Sequence, residues 1–174
     1  MGDYDFFAKF AADPTDQNYR AIFAVVIAQP SWDPYATDLA EVMQLLKDGQ
    51  FEAARTRCLE MMPNRVLNPR AHWLLSKAAE GMHDADAAQF EMMLASRCVQ
   101  GILATGDGSM ERPWLVTAVE DEYDLLGLIG RRPHSQASMT TSDGRELDVM
   151  HCPEGDAHFD ITAIRRALDR QFSS

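Results

Sequence analysis

Thr105-Gly106-Asp107-Gly108-Ser109-Met110-Glu111-Arg112-Pro113 splits the chain into two halves with different hydrophobic periods. Before it, apolar residues recur every three or four positions, the spacing of helices with one buried face. After it come short apolar runs separated by turn residues, the spacing of strands. The loop itself reads in two ways. A Gly-Asp-Gly segment can turn backbone N–H groups toward an anion or a carboxylate toward a cation. It is equally a turn in which Asp107 bonds local backbone and the glycines take positive φ. A Walker-type phosphate loop is excluded, because no Gly-Lys-Ser/Thr follows.

Upstream, the spacing predicts six helices. Phe6, Phe7 and Phe10 share a face of the first, Asp3–Ala12, which Asp13-Pro14 ends. Thr15 or Asp16 caps a second, which ends near Gln29 and carries Ala21, Ile22, Val25 and Val26. Trp32 and Tyr35 anchor the connection to a third, over 36–48, closed by Gly49. A fourth spans 51–62 and breaks at Pro63. Asn68-Pro69 opens a fifth, with Trp73, Leu74 and Leu75, that ends near Gly81; a sixth runs over 84–105. Lys47–Ala54 and Gly81–Ala88 echo each other at about 34 residues, the tetratricopeptide period. The block reads as antiparallel helical pairs, tetratricopeptide-like rather than a true array.

Downstream, 114–119 reads as a strand and 120–129 as a helix with Tyr123, Leu125, Leu126 and Ile129 inward. Strands at 136–141 and 146–152 flank the hairpin turn Ser142-Asp143-Gly144-Arg145, and a second turn, Glu154-Gly155-Asp156, leads to a strand at 157–161. Thr162 caps a last helix in which Ile164, Ala167, Leu168 and Phe172 share a face. The expected fold class is therefore α+β: a helical region, 1–104, with a small antiparallel sheet and two helices, 105–174, packed on it as one unit.

The net charge of −11 excludes a nucleic-acid partner, whose phosphates it would repel. No apolar run approaches the roughly 18 residues of a membrane span. The acidic start Met1-Gly2-Asp3 lacks the pattern of a signal peptide, so a cytoplasmic location is expected. Cys58, Cys98 and Cys152 are too few and too scattered for a disulfide framework or a metal site, and Cys58 and Cys98 read as buried thiols. His72, His83, His151 and His158 show no ligand spacing, and no cofactor is expected. His134-Ser135 is no nucleophile elbow.

Residues 101–126 hold Asp107, Glu111, Glu120, Asp121, Glu122 and Asp124 against Arg112 alone. Glu120, Asp121, Glu122 and Asp124 open a helix, where carboxylates favour the positive end of its dipole. Four charges so close are expected to be solvated. Tyr123 is expected in the core, and Gln136 to hold neighbouring backbone. Arg55, Arg57, Arg65 and Arg70 read as surface ion pairs between helices, or as a basic patch for self-association into a homo-oligomer.

With these residues in hand, the chain resembles an uncharacterised bacterial family catalogued as domain of unknown function 4919. The stretches that carry the likeness are Gly101-Ile102-Leu103, Thr105–Gly108, Val116–Val119, Glu122-Tyr123-Asp124-Leu125-Leu126, Gly130, Ser135-Gln136 and Asp148-Val149. Asp121 stands where many members carry His, and the family's Tyr-Tyr-Gly element is absent. The resemblance implies a helical region followed by a short sheet, with a shared surface but no reaction.

The leading expectation is a non-enzymatic protein-binding module. It would use Asp107, Glu120, Asp121, Glu122, Asp124 and Gln136 on an acidic face, together with the groove of the helical pairs, to mask a basic protein partner. An immunity or adaptor protein covering a toxin's active-site cleft is the concrete form. The alternative is a hydrolase with Asp107 and Glu122 or Gln136 in a cleft between the halves, which requires a carboxylate of shifted pKa.

Overall fold

In the computed structural model, side chains that bond their own helix starts divide the upstream half. The structure describes residues 3–62 and 64–172, without the side chains of Asp3, Tyr4 and Phe172. The acidic start at Met1-Gly2, the breaker Pro63 and the inward role of Phe172 lie outside the described residues. After α1 (Asp3–Ala12), Thr15 Oγ1 accepts from Asn18 N at 3.4 Å and opens α2 (Asp16–Val26). Gly49 closes α3 (Leu39–Lys47) with φ 72 and leads into α4 (Phe51–Glu60). Asn68 accepts from Ala71 N at 2.7 Å and starts α5 (Pro69–Gly81); Asp84 does the same for α6 (Ala85–Thr105) at 3.0 Å from Ala87 N. Then come α7 (Val119–Leu128), β1 (Ser135–Thr140), β2 (Glu146–Cys152), β3 (Gly155–Asp160) and α8 (Thr162–Phe172).

The fold is α+β, with the helices preceding a three-stranded antiparallel sheet of order β1-β2-β3. Gln136 opposes Met150, Ser138 opposes Asp148, and Asp148 in turn opposes Phe159. From α3 to α6 each helix packs on the next, and the aligned residues Ala54 and Ala88 of the tetratricopeptide-like echo are both buried.

Two hydrophobic cores form, and they do not part at residue 104. Leu39, Val42, Cys58, Leu74 and Ala78 make a smaller core among α3, α4 and α5. The larger one joins Phe10, Tyr19 and Ile22 to Ile102, Trp114, Leu125, Met150, Phe159 and Ile164. The first two helices are thus core partners of the sheet half, joined to it in one core through Cys98 and Ile102 of α6.

Three expectations are corrected. Residues 114–119 form no strand: only Trp114 pairs, in a single parallel bridge to Phe159. Trp114 N donates to His158 O at 3.0 Å, and the chain then leaves the sheet to start α7. Tyr123 is not a core residue but 46% exposed, and Ile129 is exposed too. The inward arc of α7 is Asp121, Glu122, Leu125 and Leu126. Stepping four back from the two leucines lands on the two acids, so helical geometry turns Tyr123 outward.

Candidate functional site

The start of α7 is where the helical and sheet halves interlock. Asp121 is fully buried. Its Oδ2 accepts from Thr117 N (3.1 Å), Thr117 Oγ1 (3.0 Å) and Ala118 N (3.0 Å), and its Oδ1 from Asn68 Nδ2 (2.6 Å). Asn68 also caps α5, so one amide joins two helix starts. Burial pushes Asp121 up to about 6, against the pull of its hydrogen bonds from Thr117 and Ala118. Nearby, Trp32 Nε1 donates to Thr117 O at 3.1 Å, and Val119 N donates to Pro34 O at 3.1 Å.

Glu120 and Asp124 face the arginines. Arg65 is buried and donates to Ala36 O (2.8 Å) and Asp38 Oδ1 (2.6 Å), 3.8 Å from Glu120 Oε1. Arg70 reaches Glu120 Oε2 at 3.4 Å and hydrogen-bonds Asp124 Oδ1. Asp124 Oδ2 has no hydrogen-bond partner. Burial raises Glu120, with Arg65 and Arg70 opposing. Three carboxylates, Asp38, Glu120 and Asp124, thus share two guanidinium groups.

Glu122 lies on the sheet side. It is fully buried, its Oε2 is 3.4 Å from Gln136 Nε2, and its Oε1 is unpartnered. Gln136 Nε2 also donates to Asp148 Oδ2 at 3.1 Å, while Ser138 Oγ donates to Asp148 Oδ1 at 2.6 Å. Tyr123 Oη donates to Gln136 Oε1 at 2.9 Å and so orients the amide. Burial, and then the charges of Asp148 and Asp121, push Glu122 up to about 9, which keeps it protonated at neutral pH.

The solvated acidic helix start is therefore corrected: Asp121 and Glu122 are core residues, and Glu120 and Asp124 are spent on Arg65 and Arg70. Neutral donors and guanidinium groups replace the lost water. Asp107 stands apart from this cluster. It is exposed, accepts from Ser109 N at 3.0 Å, and lies 3.4 Å from Arg112 Nη1. Hydrogen bonds from Ser109 hold its carboxyl below the usual range. Of the expected residues, Glu122 and Gln136 come together, Glu120 and Asp124 share Arg70, and Asp107 joins neither group.

A second buried polar group was not foreseen. His72, on α5, has Nδ1 2.7 Å from Glu91 Oε2 of α6 and Nε2 3.0 Å from Val66 O. Two acceptors demand two ring N–H groups, the imidazolium form. Burial opposes that charge, but the contacts with Cys98, Glu91 and Val66 outweigh it and lift His72 to about 10. Cys, His and Glu are the members of a nucleophilic triad. Here Cys98 is fully buried and its Sγ donates to Val66 O at 3.7 Å, so the group clasps α5 to α6.

The apolar surface lies alongside. Met43, Pro69, Trp73, Met92, Ala95, Val99, Gly127 and Leu128 line a groove of about 780 Å³ bounded by α5, α6 and α7, with Arg70, Asp124 and Ser96 its main polar residues. Trp73 is 43% and Leu128 65% exposed. A second groove of about 640 Å³, lined by Ser76, Ala88, Met92 and Met93, adjoins it through Met92 and Ser96. Trp73 neighbours the buried Leu74 and Leu75 in sequence, and helical rotation puts it outside. Asp148 had one signal: the period of two puts it on the face of β2 that carries Met150 and Cys152, both in the larger core.

No family model, curated protein or solved structure matches the chain. Among the described residues no cluster of metal-ligating side chains forms, and no helix is long and apolar enough to cross a membrane.

Proposed function

We propose that this chain is a non-enzymatic protein-binding module whose recognition surface is the pair of adjoining apolar grooves on α5, α6 and α7. The carrying observation is the exposed cluster of Trp73, Met92, Met93, Tyr123 and Leu128 on helices that buried polar links hold in place. Exposed apolar patches rimmed by polar residues mark interaction sites. Methionines supply a soft surface that adapts to a partner's side chains. Small-molecule sites occupy about 300–1,000 Å³, and two joined grooves suit a longer chain segment better. The net charge of −11 favours a basic partner, and an immunity or adaptor protein that masks a toxin is the specific form of the reading. Co-expression with the product of a neighbouring gene tests it. Capture by the native chain and loss on Leu128→Glu supports the reading; capture that survives both Leu128→Glu and Met93→Glu defeats it.

A hydrolase is the second reading, favoured by Glu122, a carboxyl raised to about 9 beside Asp148. Such a pair can supply an acid and a base. Its weakness is access, since Glu122 is fully buried and lines neither apolar groove. A hydrolytic activity lost in Glu122→Gln and retained in Leu128→Glu would put this reading first.

A further inference from the structure

Resting on the groove reading, we infer that its occupant is an amphipathic helix that places one lysine or arginine on Asp124. The argument starts from charge. Among the described residues, Asp38, Glu120 and Asp124 face only Arg65 and Arg70, so the network at the end of the groove is one positive charge short. The deficit has an address. Asp124 lines the groove, and its cation, Arg70, is shared with Glu120. A carboxylate that shares its one cation with a second carboxylate favours a further positive charge, and an incoming ammonium or guanidinium beside Asp124 in the groove would complete the pairing.

The rest of the surface selects the occupant's shape. Met92, Trp73, Val99 and Leu128 offer an apolar trough, the setting in which a helix lays down residues spaced at i, i+3, i+4 and i+7. Gly127 has open space where a side chain would stand, which leaves room beside Asp124 for a long basic side chain. A second copy of this chain is a poor occupant, because it brings −11 to a site that lacks a cation.

The test uses the full chain and stapled amphipathic peptides of about 15 residues, identical except for one central position on the edge of the apolar face, Lys, Gln or Glu. Tryptophan fluorescence, in which Trp73 is the exposed one of three, and calorimetry report binding. The Lys peptide is expected to bind about 10-fold tighter than the Gln peptide, and the Glu peptide weakest. Asp124→Asn is expected to level Lys and Gln, and Leu128→Glu to weaken all three. Circular dichroism of each variant checks that the fold persists. Equal affinity for the three peptides, with Leu128→Glu still weakening them, overturns the inference and spares the groove reading. No binding by any peptide, or binding indifferent to Leu128→Glu, removes both.

Discussion

Two acidic stretches a dozen residues apart meet opposite fates. Asp107 closes an exposed turn on itself, with Ser109 and Arg112 as partners and its pKa lowered. Asp121 and Glu122 open a helix and are buried, with pKa values pushed up to about 6 and about 9. The residue types are alike; the neighbourhood differs. Around Asp107 the positive φ of Gly108 lets the chain turn tightly, and the side chain stays in water. At α7, the leucines that must be buried one turn later carry the acids inward with them. The comparison teaches that a run of charge does not mark a surface when it shares helical phase with a core.

The sharpest way to break this contrast is Asp121→Ala. It leaves Asn68 Nδ2, Thr117 N, Thr117 Oγ1 and Ala118 N without their acceptor, and is expected to cost about 3–5 kcal/mol in urea unfolding. A cost under about 1 kcal/mol would mean that the interlock is ornamental.

Next comes Gly106→Ala in the exposed stretch. A Cβ there would stand 2.3 Å from Arg112 O and 2.5 Å from Pro113 O, backbone atoms with nowhere to go. The expected loss is about 2–4 kcal/mol, read as a lowered urea midpoint. In this loop the glycine, not the aspartate, is the structural residue.

Glu122→Gln sharpens the comparison through pH. The folded pKa of Glu122, about 9, lies above its ordinary 4.5, so its contribution to stability is fully present below 4.5 and is lost as pH rises through 9. The Gln variant does not titrate. It is expected to match the native chain at about pH 5 and to exceed its stability by about 1–3 kcal/mol at about pH 8. Parallel stability curves would show that Glu122 is not protonated in the fold. His72 tilts the native curve in the same direction, with a window from 6.5 to about 10.

The smallest effect is expected for Asp107→Ala, within about 0.5 kcal/mol by the same unfolding measurement, since its bonds are exposed and water replaces them. A loss as large as that of Asp121→Ala would erase the distinction between the two stretches.

Much of the fold was legible in the chain's local signals. Thr15, Asn68 and Asp84 start helices because a short polar side chain bonds an orphan N–H a few residues on, a rule that needs no tertiary partner. Gly49 and the Ser142–Arg145 turn are equally local. The strand expected at 114–119 failed because its apolar, β-branched residues serve burial rather than pairing: Trp114 forms one bridge and the chain turns away. The site was less legible. Gln136 beside Glu122 was within reach, but Asp148 as their partner depends on the register of β1 against β2.

What the sequence determined by itself is the α+β class, the order of the helices and of the three sheet strands, and the caps at Thr15, Asn68 and Asp84, because each follows from periods and contacts within a few residues. What only the tertiary structure decided is the state of the charges. Burial, partner and pKa depend on which distant groups arrive: Asn68 and Arg65 from the helical half, Asp148 from the sheet. The same holds for the groove, since Trp73 and Leu128 become one surface only when α5 and α7 meet.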